Sequence, residues 1–533
     1  MQTGSHSSRP IQGVRLLQIL VVGLLLAAGA AGARVVTGGP GDDRLLGTAR
    51  ADALRGLGGS DRLVAGRGSD FLQGGAGRDT HDAGPGADLV ATSYDGARDV
   101  IRCGAGLDVV NADLADGVAR DCEVVGRRLS RDPYTTADAQ HETQVEPDSF
   151  TFGRTTVAAF QVGRRFDGAA TNVGWALTTN DGASWRSGLL PGLTTASRPP
   201  GPNARASDPV VAYDAAHATW LISTLALQGT TTRLAVNRST NGSTWSTASN
   251  ALEERAADGI AFDKNWLACD NTASSPFYGR CYLVYTHSAD RDLLAVSWSI
   301  DGGVTWSIPV DIGARPGVGV FPAIRPTGEI VVVYLLQGGG RLSIASSRSA
   351  DGGATWAAPV RIAPVDGGCR VPDFRAFSLP SAEADRTGRV WASWHDCESP
   401  GATSNNAVFV STSLDGTQWS APVAVTRTRN AVLPAIGIDA ATGRVAIAYM
   451  RSRAAGIDVE LVQSPGASST WSPARRLSAH SMPLSWMPNT TSGRMLADYI
   501  SVHYARGRPL VVWVLATEPV GASFRQAVYA TRG

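Results

Sequence analysis

The sequence predicts an all-β protein in two parts, a stack of nine-residue turns followed by a larger array of repeated β units. Three observations carry that reading. Aspartates recur every nine residues from Asp43, a turn cassette closing on tryptophan recurs at intervals of 50 to 63 residues from Trp185, and 60 glycines with 28 prolines supply turns throughout 533 residues. With 43% hydrophobic and 18% charged residues, the chain can bury a large core and is neither disordered nor fibrous. Its 48 basic residues are 47 arginines and one lysine, Lys264, set against 47 acids without a basic run. Phosphate binding needs clustered cation, so a nucleic-acid partner is excluded.

Residues 1–33 read as a signal peptide. Arg9 and Arg15 flank the apolar run Leu16–Ala28, and Ala31-Gly32-Ala33 offers small side chains for cleavage. A run of thirteen residues, broken by Gln18, falls short of the about 20 that span a bilayer. The expectation is an extracellular protein, secreted or associated with the cell surface, with no membrane span after cleavage. Export places the six cysteines in an oxidising setting, where they form three local couples: Cys103 with Cys122, Cys269 with Cys281, and Cys369 with Cys397. No CxxC occurs, which disfavours a thiolate metal site.

The first folded part, residues 34–126, is built on the nine-residue period. Asp43, Asp52, Asp61, Asp70, Asp79 and Asp88 keep it without a slip; an insertion of two gives Asp99, and Asp108 resumes it. Two positions after each Asp stand Leu45, Leu54, Leu63, Leu72, His81, Val90, Ile101 and Val110, seven of the eight aliphatic. One turn and one short strand per nonapeptide would point that residue into a thin core and collect the carboxylates at the turns. Stacked like charges repel unless a cation lies between them. Glycine runs such as Gly74-Gly75-Ala76-Gly77 permit the close turns. Residues 38 to 111 thus resemble the RTX, or hemolysin-type, calcium-binding repeat GGxGxDxUx. The resemblance implies a parallel β-roll binding Ca²⁺ through turn carbonyls and the side chains of Asp43, Asp52, Asp61, Asp70, Asp79, Asp88 and Asp108, in pairs two turns apart such as Asp43 with Asp61. Arg50 in place of a turn glycine, His81 in the core and Tyr94 at the slip depart from the pattern.

Residues 127–145 are polar and read as a linker with a possible closing strand. From 146 to 533 the cassettes recur: Ser299-Ile300-Asp301-Gly302-Gly303-Val304-Thr305-Trp306 and the matching Ser349–Trp356, with altered copies closing on Trp185, Trp245, Trp419 and Trp471. They resemble the Asp-box, or BNR repeat, of sialidase-like β-propellers, in which the box is a structural turn away from the active site. Strands opening near Pro147, Pro209, Asn265, Phe321, Pro380, Pro434 and Tyr499 give seven openings for six boxes. The fold class expected is therefore a parallel β-roll followed by a β-propeller of seven blades, with six as the alternative. In the seven-bladed ring, Asp138–Val145 would complete the last blade.

Aligning the openings places Glu146, Asp208, Lys264, Phe321, Leu379, Leu433 and Asp498 at one end of the channel. Asp498, Glu146, Asp208 and Lys264 come from adjacent blades and form a candidate ligand pocket, joined by Arg205, Arg375 and Arg494, which precede inner strands. Sialidase chemistry would need an arginine cluster, a Tyr activated by Glu and an Asp acid/base. Tyr499, Glu146 and Asp208 are the catalytic candidates for it, whereas the family's F/Y-R-I-P motif is absent and Phe374-Arg375-Ala376-Phe377 is the nearest text. Ser-His-Asp, HExxH, P-loop and Rossmann motifs are likewise absent. Two functions stand: a secreted calcium-binding protein whose propeller is a noncatalytic module for an extracellular glycan or cell-surface protein, or an exo-glycosidase of sialidase type.

Overall fold

The computed structural model describes residues 33–533 apart from 93–94, 257–260, 339, 368–369, 398–404, 427–428 and 467–469. The expected signal peptide, Tyr94 and Cys369 lie outside the described residues. The fold is all-β: a parallel roll followed by a β-propeller.

In the roll, Val35–Thr37, Ala53–Gly58, Phe71–Ala76, Leu89–Ala91, Val109–Ala112 and Val124–Arg128 form one parallel sheet. Arg44–Leu46, Arg62–Val64, Thr80–Asp82, Val100–Arg102 and Gly117–Val118 form the facing one. Each nonapeptide carries the chain from one sheet to the other, so same-sheet neighbours lie two repeats apart, Leu54 beside Leu72 and Leu45 beside Leu63. One inward residue per turn makes a single-file core of Leu45, Leu54, Leu63, Leu72, His81, Val90, Ile101 and Val110, all buried. Each fully buried Leu contributes about 1.5–3 kcal/mol. His81 fills its slot as a neutral ring, because burial lowers its pKa to about 4. Cys103–Cys122 staples the end of the roll.

Among the described residues the propeller has seven blades. Their inner strands lie in Gln144–Phe152, Arg205–Asp214, Phe262–Cys269, the second half of Val310–Ile324, Ser381–Ala384, Ala431–Ile438 and Ser501–Ala505, and neighbouring inner strands pack side by side around a closed ring. The first half of Val310–Ile324 is the outer strand of blade 3, so one long strand serves two blades. Each closing tryptophan wedges between its own blade and the one before. Trp245 packs with Val157 and Leu177 of blade 1, and Trp419 with Val331 and Val333 of blade 4. The turn preceding each tryptophan leans on that same neighbour: Gly242, at φ +71°, faces Leu177 and Val157, where a Cβ would sit at 3.0 Å from both. Within the turn at Asp301, the carboxylate accepts the Thr305 N–H and the Ser299 hydroxyl, at 2.9 and 2.8 Å. Cys269–Cys281 joins the first two strands of blade 3, and Cys397 is disulfide-bonded.

The outer strand of blade 7 differs from expectation. Val124–Arg128, the last strand of the roll, pairs antiparallel with Gln526–Arg532 through Gly126 opposite Thr531 and Arg128 opposite Tyr529, while its other edge stays parallel to Val109–Ala112. A boundary at 126/127 therefore falls inside a strand, and roll and propeller share one nine-stranded sheet. The physical reason is edge satisfaction. The roll ends on an unpaired edge, blade 7 lacks its fourth strand, and buried backbone groups require partners. Of the expected closing segment, Thr143 makes a single parallel bridge to Gln526 of blade 7, while Gln144 and Val145 belong to the inner strand of blade 1, opposite Val162 and Gln161.

Inner strands are also tied to one another by acids. Asp148 of blade 1 accepts the Val211 N–H of blade 2 at 2.8 Å, and burial raises its carboxyl to about 7. A folded pKa above the unfolded one means stability is fullest below about pH 4 and lost as the pH climbs through 7. Asp148→Asn is therefore expected to melt higher than the parent at pH 8 and to show no gain at pH 4, read from thermal midpoints across that range.

Candidate functional site

The propeller's site is made by a repeated irregularity. Inner strands carry a β-bulge near their start, between Val145 and Asp148, Ser207 and Val210, Asp263 and Trp266, Val318 and Phe321, and Val432 and Ala435. The extra residue takes positive φ in Glu146 (+51°), Asp208 (+45°), Lys264 (+46°), Gly319 (+70°) and Leu433 (+53°). A bulge re-aims one side chain out of the pleat, and left-handed backbone costs about 1–3 kcal/mol at a non-glycine residue, a strain typical of functional sites. In blade 4 the bulged residue is Gly319 rather than the expected Phe321, which lies two residues further along with its ring centre 3.8 Å from that of Trp266, the planes tilted by 35°.

Around the axis these residues, with Leu379 and Asp498 from before the inner strands of blades 5 and 7, form two arcs. Asp498, Glu146, Asp208 and Lys264 form a polar arc from blades 7, 1, 2 and 3, while Gly319, Leu379 and Leu433 form the apolar one. Between them the channel narrows to a gap of about 20 Å³. Lys264, 14% exposed, places its ammonium 3.1 Å from Asp208 Oδ1, 2.9 Å from Asp498 Oδ2 and 3.9 Å from Glu146 Oε1. Arg375 approaches from before blade 5 and donates from Nε and Nη2 to the two oxygens of Asp498, both at 2.6 Å. Burial alone would raise the Asp498 carboxyl; Lys264 and Arg375 overcome it and hold the group well below the usual carboxylate range. Burial, reinforced by the charges of Asp208 and Asp498 and opposed by Lys264, pushes Glu146 up to about 8, so it carries its proton at neutral pH. Gln161 donates to Glu146 and, at 2.9 Å, to Ser207 Oγ.

Above the cluster, on the face where inner strands begin, opens a cleft of about 410 Å³ lined by Glu146, Asp208, Asp263, Lys264, Arg164, Arg205 and Arg375. Of the residues anticipated, Glu146, Asp208, Lys264, Asp498 and Arg375 come together. Arg205 stands at the rim, bonded to Asp167 at 2.9 Å. Arg494 lies beside Arg375, whose N–H donates to the Arg494 carbonyl at 2.8 Å, but its side chain turns to the Met487 carbonyl, also at 2.8 Å. Tyr499 lies beneath Lys264, 5.6 Å from the ammonium to the ring centre, with its hydroxyl 3.4 Å from the Pro209 carbonyl. Burial lifts that phenol well above its ordinary pKa. Sequence reasoning missed Gln161, Arg164 and Asp263; the signal was present, since Gln161 and Arg164 interrupt the buried apolar strand Thr155–Arg164.

The roll presents a second site. Each repeat Asp uses Oδ1 to accept the N–H of the Asp two turns earlier: Asp61 from Asp43 at 2.8 Å, Asp70 from Asp52 at 2.6 Å, Asp79 from Asp61, Asp88 from Asp70, Asp99 from Asp79 and Asp108 from Asp88. Oδ2 of Asp61, Asp70, Asp79, Asp88 and Asp108 is buried without a protein partner. A Cβ placed on Gly56 would collide with Asp61 Oδ2 and the Gly74 carbonyl, so carboxylate and carbonyl oxygens converge on an atom-sized cradle. Burial raises Asp70 and Asp79 to about 6 and Asp88 to about 7, the mark of carboxylates lacking counter-charge. This donor set fits Ca²⁺, which takes six to eight oxygens. Among the described residues no three His, Cys, Asp or Glu side chains converge, so turn carbonyls would supply most ligands.

Comparison with known proteins agrees on the roll. Residues 37–72 and 55–90 match the RTX calcium-binding nonapeptide repeat. No curated protein matches the chain by sequence. Among solved structures, an ulvan lyase of a new polysaccharide lyase family is similar over 74% of this chain and 96% of its own, at 12% identity and TM-score 0.47. An α-L-arabinanase of Penicillium chrysogenum covers 63% of this chain and 96% of its own, at 13% and 0.43. Trypanosoma rangeli sialidase covers 74% and 55%, at 13% and 0.37. None of these likenesses assigns an activity to the chain.

Two outcomes are expected. Lys264→Met leaves three buried carboxyls facing one another and should cost about 3–5 kcal/mol in urea unfolding at pH 7. Adding calcium should raise the melting temperature of the roll, followed by circular dichroism, with half-effect at about 10⁻⁴–10⁻³ M as in extracellular modules, and Asp70→Asn or Asp88→Asn should weaken that response.

Proposed function

We propose that this is a secreted calcium-binding protein whose propeller is a noncatalytic module, holding an extracellular glycan or a cell-surface protein in the cleft above Glu146, Asp208 and Lys264. The observation that carries the reading is the prior commitment of the cluster's groups. Asp498 is taken by Arg375 and Lys264, Asp208 by Lys264, and Glu146 by Gln161. The Tyr499 hydroxyl faces a backbone carbonyl rather than a carboxylate base. A general base must reach the proton it removes, and a nucleophile needs its activating partner. What remains free for a ligand is a cleft mixing cations and acids, suited to many hydroxyls or to the polar rim of a protein. The expected leader and the disulfides support export, and the orphaned carboxylate oxygens of the roll support calcium.

One observation favours the alternative, an exo-glycosidase of sialidase type. Glu146, protonated up to about pH 8, lines the cleft beside Arg164, Arg205 and Arg375 and has the character of a general acid.

A glycan array combined with a fluorogenic sialoside assay separates the two. The first reading predicts binding without turnover, weakened about tenfold or more by Arg205→Ala with an unchanged melting temperature. Turnover that disappears in Glu146→Gln or Tyr499→Phe would establish the second.

A further inference from the structure

We propose that the calcium-loaded roll is the clasp that closes the propeller ring. Blade 7 owns three strands, and its fourth, Val124–Arg128, is lent by the roll. The joint continues past the strand. Leu129 N–H donates to the Val528 carbonyl at 2.7 Å, and Ser130 Oγ accepts the Val528 N–H at 2.8 Å while donating to Gln144 of blade 1 at 2.7 Å. One turn of chain thus binds the first and last blades together.

The roll also contributes to the propeller's core. Ala91, Val109, Val124 and Leu129 share one apolar cluster with Trp513 and Tyr529 of blade 7, and Phe71 and Leu89 pack against it. Asn111, on the roll strand beside the clasp, donates to the Leu477 carbonyl at 3.1 Å and accepts the Ala479 N–H at 2.6 Å. Gly126 fits because it lacks a Cβ, which would meet Asn111 Nδ2 at 2.7 Å and the Trp513 ring at 3.4 Å.

The carboxylate column of the same sheet leads into this joint. Asp52, Asp70, Asp88 and Asp108 are linked in series by N–H to Oδ1 bonds, the Asp108 N–H donates to Glu123 at 3.0 Å, and Val124 N–H donates to the Asp108 carbonyl at 3.0 Å. Removing the cations that the Oδ2 atoms of Asp70, Asp88 and Asp108 would each help to hold, with turn carbonyls, leaves a file of acidic groups two turns apart without counter-charge, and this loosens the ladder that presents the clasp strand. The roll then serves the propeller's integrity, and calcium reaches blade 7 through main-chain pairing.

Hydrogen–deuterium exchange of the full chain, with calcium or with excess chelator, tests this. Chelation should speed exchange at least tenfold in the roll, in 124–128 and in 526–532 together, and leave the blade 4 strands 330–338 and 341–349 unchanged. Asp88→Asn should produce the same pattern at limiting calcium, and Gly126→Val should expose 526–532 in saturating calcium while the early turns of the roll stay protected. Exchange that rises in the roll with 526–532 still protected, or that is indifferent to chelation everywhere, overturns the proposal.

Discussion

The centre of the propeller depends on one ammonium group. Seven inner strands have to meet around an axis, and bulges turn side chains of several of them into the space where they meet. Glu146 and Asp208 arrive this way from blades 1 and 2 and Asp498 from just before the inner strand of blade 7; Glu146 carries a proton at neutral pH, and between the other two, at an effective dielectric constant near 20, unit charges 4 Å apart interact by about 4 kcal/mol. Lys264 of blade 3 sits among them and converts a repulsive arc into an attractive one, and Arg375 completes the balance at Asp498. The chain otherwise uses arginine for its basic residues, 47 times against a single lysine. A compact ammonium with radiating donors bonds carboxylates from two blades at once, Asp208 and Asp498, and stands 3.9 Å from Glu146 of a third, whereas a planar guanidinium fork matches one carboxylate at a time, as Arg375 does.

The second constraint is the fate of strand edges. A roll ends on an edge, and a ring whose last blade is one strand short presents another. Joining them through Val124–Arg128 satisfies both sets of backbone groups in a single strand, which is why the two domains form one sheet and share an apolar core. The remaining blade contacts repeat a simpler device, a glycine turn and a tryptophan leaning on the preceding blade.

What the sequence disclosed, and what it withheld, follows the range of the interaction. Residues that obey a period were legible: the Asp and aliphatic columns of the roll, the tryptophan cassettes, and through them the alignment that brought Glu146, Asp208, Lys264 and Asp498 to one place. Features set by a nonlocal demand were not. Val124–Arg128 reads as one more roll strand, and nothing within it announces a partner 400 residues away. Phe321 was misplaced by two positions because a bulge shifts register, and the one at Gly319 leaves only a glycine as its trace. Gln161 and Arg164 show only as polar breaks in the second strand of blade 1, outside the aligned openings, and the Tyr499 hydroxyl is directed at the Pro209 carbonyl of another blade.

Because Lys264 is the one lysine of the chain, its side chain can be observed alone. Selective ¹³C-lysine labelling gives a single Cε resonance whose shift reports the charge of the ammonium as pH is raised. Asp208, Asp498 and Glu146 outweigh the effect of burial, so the signal is predicted to keep its ammonium position well past the ordinary lysine pKa of about 10.4, until the protein unfolds. A titration at or below that value, in folded protein, would contradict the buried counter-ion on which the centre of the ring is built.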